Sequence, residues 1–328
     1  MSAPGPGFIQ VTSPLSRPIH FFLLELVVLA CTLLVFGHAL REYRRGDRRH
    51  LFQWLVITAY GVMMELIAFN FLHNYEHARF TVQLYHGQLP LYVTGLYGSF
   101  MYAGVKIAER LKVHPVAEAF LAGLATCLID VPFDIAGVAV GWWRWMDTDP
   151  VLAFRWLGVP VTSYYWYLIF TPMAVLECHV LWKRLSRRSF SLAALVALPA
   201  GFGVILFGVI GFFPFHGIKA LGVSDGTIVA GHLLACGILA LAIGGKRTTL
   251  PPMIAAVVLL LPGGHLVFLL WTAMNGQLVD GTARVVSSLG AFAGLVALSW
   301  TLPFRRTAEG ALSPEAPPRD STAQLSPR

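Results

Sequence analysis

Charged residues are scarce in this chain. Asp, Glu, Lys and Arg make up 12% of its 328 residues, about half of the roughly 25% that is usual in soluble domains. Hydrophobic residues make up 56%, and the mean hydropathy is +0.66. This composition excludes an ordinary soluble domain and predicts an integral membrane protein with several spans.

Several motifs of metal chemistry are also missing. The four cysteines have no metal-type spacing, so we interpret them as packing residues. The sequence has no HExxH motif and no paired-histidine boxes of the membrane-desaturase type. It lacks paired aspartate-rich motifs of the DDxxD kind, which argues against a prenyltransferase that holds Mg²⁺ and diphosphate. No basic stretch precedes the first apolar run, so we expect no cleavable signal peptide.

The sequence contains several apolar stretches that are long enough to span a membrane. Each is close to the roughly 20 residues that a bilayer helix needs, and far longer than a barrel strand. Because backbone polar groups cannot stay unpaired in lipid, we expect helices. The fold class is therefore predicted as all-α, a polytopic membrane helix bundle over residues 1–304. The nine predicted spans are 18–41, 51–72, 90–111, 115–141, 161–182, 190–213, 225–244, 250–273 and 281–303.

Every second loop between these spans is basic, for example the loops that contain Arg44 and Arg187. The positive-inside rule then predicts an N-terminus outside and a C-terminus inside, in a bacterial inner (plasma) membrane. The net charge of +7 follows from this topology. Because the basic residues flank helices instead of forming one patch, we predict no nucleic-acid partner. Residues 305–328 are rich in Pro, Ser, Ala and charge and are predicted to form a disordered cytoplasmic tail.

Three acidic residues are predicted at a similar depth in the membrane. Counted from the inside ends of their helices at 1.5 Å per residue, Glu65 and Asp130 lie about 21 and 22 Å along. Asp134 is one turn beyond Asp130 on the same helical face, and Pro132 between them interrupts the backbone hydrogen bonds. Because carboxylates are costly in lipid, these three acids are the candidate catalytic residues. Two isolated acids are interpreted as structural: Glu25 and Glu177.

Two predicted outer loops, 69–92 and 141–167, are dense in aromatic residues. Interfacial belts of Trp and Tyr explain part of this density. Aromatic faces also stabilise cations, so the loops are candidates for lining a pocket in which positive charge develops. His73 and His77 are four residues apart, a spacing that would place both on one helical face, and they are the candidate metal ligands. A haem b pair of His232 and His265 is a further alternative, but the preferred prediction has no metal and no cofactor.

A series of residues within about 50–185 follows the order of a known family. Glu65 comes first, and an aromatic loop with Tyr75 follows it. The remaining elements are LPLYV with Met101-Tyr102, DVPFD, GWWRW, and the stretch from Trp156 through Gly158-Val159-Pro160 to Ser163-Tyr164. This stretch resembles the carotenoid biosynthesis protein family of integral membrane enzymes, which includes carotenoid 1,2-hydratases such as bisanhydrobacterioruberin hydratase.

The resemblance implies hydration of a terminal carbon–carbon double bond on a lipophilic isoprenoid or carotenoid that enters from the membrane lipid. Protonation of the alkene gives a tertiary carbocation, which water captures; cyclisation or isomerisation would pass through the same cation. Asp130, Asp134 and Glu65 would carry out the acid–base steps. The substrate would bind against aromatic residues: Tyr75, Tyr102, Trp142, Trp143, Trp145 and Tyr164.

Two other functions are compatible with the same residues. Intramembrane acids also mark proton pathways, so a proton-coupled small-molecule transporter with helices broken at proline is one alternative. The other is a non-catalytic membrane scaffold, in which the acids hold helices together as hydrogen-bonding groups.

Overall fold

The computed structural model describes residues 7–242 and 248–301, and helices make up most of them. The all-α prediction is therefore confirmed. The predicted disordered tail, 305–328, lies outside the described residues.

The helices lie close to the predicted apolar stretches. Three of them, α2, α9 and α11, continue directly into π-helical turns: Ala68–Leu72, Leu259–Gly263 and Ala297–Thr301. The helices are α1 (Ile19–Arg44), α2 (Arg49–Ile67), α3 (Leu91–Glu109), α4 (Pro115–Val140), α5 (Val161–Leu185), α6 (Phe190–Gly211), α7 (Phe213–Ala220), α8 (Asp225–Ala242), α9 (Pro252–Val258), α10 (Gly264–Met274) and α11 (Gly281–Val296).

Seven helices among the described residues are long and apolar enough to cross a membrane. The two other predicted spans form α3 and α5, which are not among the seven. All but three of the 19 residues of α3 are buried. A helix enclosed by other helices needs no apolar surface toward lipid, so α3 can carry polar groups such as Lys106.

The total of nine spans remains a prediction. The seven are Ile19–Arg44, Arg49–Leu72, Pro115–Val140, Phe190–Ala220, Asp225–Ala242, Pro252–Met274 and Gly281–Trp300.

Helix α4 lies at the centre of the bundle. Its most apolar window is 89% buried, whereas the corresponding windows of the other six apolar helices are 22–39% buried. It packs against α3, α5 and α11, while α2 packs against α3 and α6. The acids of α4 therefore lie deep inside the protein and do not face lipid.

Short antiparallel strands join the loops at one end of the bundle. One sheet has the order β1-β3-β4, and β2 pairs with β5, as β6 does with β7. The pairing of β2 with β5 links the loop after α2 to the loop after α4, so two distant chain segments form one structure. The strands are β1 (Gln10–Val11), β2 (Tyr75–His77), β3 (Val82–Leu84), β4 (Leu89–Pro90), β5 (Trp143–Trp145), β6 (Arg155–Trp156) and β7 (Val159–Pro160).

Candidate active site

The two aspartates of α4 are both buried. Helix α4 runs through Pro132 as one continuous element, although proline cannot donate a backbone hydrogen bond there. Asp134 Oδ2 accepts a hydrogen bond from Ser163 Oγ on α5 at 2.8 Å. Asp130 is 0% exposed, and its carboxyl oxygens have no hydrogen-bond partner of good geometry among the described residues. Its polar neighbours are Asp134 and Tyr167.

Asp134 lines a small cavity of about 50 Å³, which we call the acid cavity. Because a single water needs roughly 10–15 Å³ of such space, it can hold a few waters. Four other residues predicted for the site line the same cavity: Glu65, Tyr75, Trp143 and Trp145. The remaining lining residues are His77, Leu96, Tyr97, Phe133, Ser163, Trp166 and Tyr167.

Glu65 approaches the acid cavity from α2. Its carboxyl accepts a hydrogen bond from the Tyr97 hydroxyl at 2.9 Å, and its other oxygen lies 3.5 Å from His77 Nε2. Burial, and secondly the neighbouring Glu65 carboxyl, raise the pKa of the Tyr75 hydroxyl well above its usual range, so this group keeps its proton. The sequence predicts Glu65 at the level of Asp130; the acid that shares its cavity is Asp134.

The pairing of β2 with β5 places the aromatic residues over the acids. Tyr75 lies opposite Trp145, and His77 opposite Trp143. Because side chains alternate between the two faces of a strand, these four point to one side, and all four line the acid cavity. The intervening pair points the other way: Arg144 and Glu76 are exposed and form an ion pair at 2.6 Å.

Two glycines, one within α4 and one directly after it, allow Trp143 to lie over the helix. Gly141 ends α4 with φ +75°, a left-handed conformation in which glycine is favoured. A Cβ at Gly137 would overlap the ring of Trp143, so the indole fits only because this residue has no side chain. The Trp143 ring also stacks on Phe133, with ring centroids 4.7 Å apart.

A larger apolar groove of about 920 Å³ lies between α1, the end of α4 and α10. Trp142 lines this apolar groove, donates a hydrogen bond to His20 Nδ1 at 2.9 Å and stacks on Phe268. Phe133 contacts the rings of both Trp143 and His265, which line the acid cavity and the groove respectively. The two spaces are therefore separated by aromatic side chains, with Phe133 on the side of the acid cavity and His265 on the side of the groove.

The structure does not bring every predicted residue to the acid cavity. Tyr102 lies near the opposite end of α3, where its hydroxyl is 3.0 Å from His38 Nδ1. Tyr164 is buried beside α4 and contacts the ring of Trp156, but it does not line the cavity. Glu25 accepts a hydrogen bond from the Thr81 backbone at 3.0 Å, a structural contact.

The two candidate metal ligands do not share a helical face. The helical turn after α2 ends at Leu72, His73 has a left-handed φ of 50°, and His77 lies in β2. Of the two, only His77 lines the acid cavity. Within 7–242 and 248–301, no group of three or more His, Cys, Asp or Glu residues is placed to hold a metal ion.

Several residues of the cavity were missed in the sequence. Ser163, Trp166 and Tyr167 have the i, i+3, i+4 spacing of one helical face, which could have been recognised at the start of α5. No spacing pattern in the sequence indicates Tyr97 as a lining residue, because its role depends on α3 lying beside α2. His77 is predicted only as a candidate metal ligand and not as a lining residue, since its stretch has no regular periodicity.

Comparison with known proteins gives one family and no described activity. The sequence model of a family described as a domain of unknown function, DUF7802, matches residues 13–247, a range that includes every residue lining the acid cavity. No curated protein and no solved structure matches the chain. Since the matched range is more than half of the 328 residues, the chain belongs to the DUF7802 family.

Proposed function

We propose that this protein is a membrane enzyme that protonates a carbon–carbon double bond of an isoprenoid or carotenoid. The product then forms through a carbocation, by hydration, cyclisation or isomerisation. One observation carries the proposal: carboxyl groups from two helices face one small cavity, and three tryptophans line the same cavity. A third carboxyl group, that of Asp130, lies next to Asp134.

Asp134 is the proton donor in this mechanism. Burial disfavours charge on a carboxyl group, so a buried carboxyl keeps its proton more readily than an exposed one. Ser163 holds one oxygen of Asp134, and the proton on the carboxyl passes to the alkene. A C–H bond forms from the π electrons, which leaves a tertiary carbocation. Asp130 does not line the cavity and acts through Asp134 as a positioning residue.

The cation is stabilised and then quenched within the same cavity. The lining tryptophans, Trp143, Trp145 and Trp166, offer ring faces to the positive charge. A water molecule forms the C–O bond and gives its proton to the Glu65 carboxylate, which Tyr97 holds in place. In a cyclisation or isomerisation, Glu65 would instead take a proton from a carbon next to the cation. All outcomes therefore need a proton donor and a proton acceptor.

The sizes of the two spaces support an elongated apolar substrate. The acid cavity is much smaller than the roughly 300–1,000 Å³ of usual ligand sites, whereas the apolar groove falls in that range. In our proposal the body of the substrate enters the apolar groove laterally from lipid. Only its end passes the wall at Phe133 and reaches Asp134.

The proposal includes a topology. Nine spans, with the N-terminus outside and the C-terminus inside a bacterial inner membrane, would place the acid cavity in the outer half of the bilayer. The basic loop between α1 and α2 supports this orientation, because it lies at the opposite end of α2 from Glu65.

The test is expression of the full chain in a carotenoid-producing host, followed by mass analysis of the lipid extract. A gain of one water per modified end indicates hydration, and an isomer of unchanged mass indicates cyclisation or isomerisation. We expect Asp130→Asn and Asp134→Asn to abolish the product at unchanged protein levels. Glu177→Gln is the matched control, because Glu177 lies on α5 away from the cavity and packs against Gly203 of α6. Normal product from both aspartate variants would refute the acid mechanism.

A further inference from the structure

A polar pocket of about 370 Å³ lies at the opposite end of the bundle from the acid cavity. We call it the basic pocket. It is formed by the end of α1, the start of α2, the end of α3 and the segment before α9. Five cationic side chains line it: Arg41, Arg45, Lys106, Arg110 and Lys112. Only two carboxylates do so among the described residues, Glu42 and Glu109.

Each of the two carboxylates already pairs with two cations. Glu42 lies 3.1 Å from an Arg41 nitrogen and 3.3 Å from an Arg45 nitrogen. Glu109 lies 2.8 Å from Lys106 Nζ and 3.5 Å from an Arg49 nitrogen. The acids therefore do not neutralise the pocket: even without Arg110, its described lining contains four cations and two anions and is positive.

The inner part of the basic pocket is rigidly built. The Lys106 side chain is only 2% exposed, donates to Gln53 Oε1 at 2.6 Å and lies 4.7 Å from the centre of the Tyr102 ring. His38, also buried, is hydrogen-bonded to Tyr102. Burying an ammonium group is costly unless it is paired. The paired Lys106 charge is thus held in a fixed place behind the wall of the pocket, whereas Arg45 and Lys112 are exposed and can contact an anion.

We propose that the basic pocket binds a phosphate group. Guanidinium and ammonium groups together are the usual partners of phosphate oxygens. The pocket lies at the end of the helices where Arg44 ends α1 and Arg48 precedes α2. Basic pockets between membrane helices at the cytoplasmic surface of the membrane are suited to anionic lipid headgroups. The phosphate is therefore that of an anionic lipid or of a free phosphate compound. This site is independent of the acid cavity.

The experiment measures lipid binding to the purified full-length protein in detergent by native mass spectrometry. Phosphatidylglycerol is compared with phosphatidylcholine, and inorganic phosphate is added as a competitor. The test variant is Arg45→Gln/Lys112→Gln, which removes two exposed charges from the pocket lining. The matched control, Arg44→Gln/Arg48→Gln, removes two exposed charges from the same end of the bundle but outside the pocket lining.

We expect the test variant to weaken phosphatidylglycerol binding by about tenfold or more, at roughly 1 kcal/mol per charge. The control should change it by less than about twofold. Displacement by millimolar inorganic phosphate would assign the site to a free phosphate compound, and resistance to it would assign the site to a lipid. Equal weakening by both double variants would show general surface attraction and overturn the proposal. No preference for phosphatidylglycerol and no binding of phosphate would also overturn it.

Discussion

The Ser163 hydroxyl donates a hydrogen bond to Asp134 Oδ2 across 2.8 Å, and so joins the first turn of α5 to the central helix α4. This bond fixes the direction in which Asp134 faces the acid cavity. It also leaves the other carboxyl oxygen to carry the proton that our mechanism requires.

We expect Ser163→Ala to reduce product formation by about tenfold, because a buried acceptor that loses its donor costs about 1–3 kcal/mol. Product per amount of membrane protein, measured by mass spectrometry in the carotenoid-producing host, gives the effect. Thr162→Val is the control, since it removes a hydroxyl that bonds to the Val151 backbone instead of to an acid. If both variants lose activity equally, the hydroxyl of Ser163 has no special role.

Gly137→Ala should displace Trp143 from its place over α4. The added Cβ would occupy space that the indole ring fills, and the ring cannot move without losing its stacking on Phe133. We expect loss of most product and a lower melting temperature in detergent. Gly231→Ala on α8 is the comparison, because a Cβ there meets nothing within 4 Å; alanine at that helical site should stabilise the protein slightly. Wild-type behaviour of Gly137→Ala would contradict the packing described for Trp143.

Tyr97→Phe removes the hydroxyl that donates to Glu65. In our mechanism the carboxylate would then be poorly placed to receive a proton, whether from water or from a carbon next to the cation, so total product should fall about tenfold. Total product per amount of membrane protein is the readout. Tyr92→Phe serves as the control, because the Tyr92 hydroxyl is buried with no hydrogen-bond partner among the described residues. Unchanged total product in Tyr97→Phe would remove Glu65 from the quenching step.

Lys106→Met should destabilise the protein by about 3–5 kcal/mol, because it leaves the buried Glu109 carboxylate without its closest cation. Chemical unfolding in detergent measures the free energy. The double variant Lys106→Met/Glu109→Gln should recover part of the loss, since the remaining side chains at the two positions are uncharged. A loss in the double variant as large as the sum of both single losses would show that the two residues do not interact.

The sequence predicts where the helices begin and end better than it predicts which helices pack against each other. Long apolar runs define spans almost by themselves, so α1 and α4 begin and end within a few residues of prediction. Distance along a helix says nothing about lateral position, however. The sequence gives Glu65 and Asp130 a common depth and leaves open whether they meet; α3 packs between their helices, and Asp134 is the acid that shares the cavity with Glu65.

Tyr102 and His77 show two further limits. The motif order grouped Tyr102 with the site, but it lies eleven residues into α3, or about 16 Å from the end of that helix near the cavity. The spacing of His73 and His77 is compatible with one helical face, but His77 lies in β2, which forms only because β5 pairs with it from beyond α4. Strands of three residues have no periodicity that a single sequence reveals.

The size of the acid cavity bears on how a long molecule would be processed. A space of about 50 Å³ admits a chain tip and a water but excludes the rest of the chain. Such an enzyme would be indifferent to overall chain length and would act only at termini. A substrate with two identical ends would have to leave, turn round and return, so singly modified molecules would accumulate before doubly modified ones.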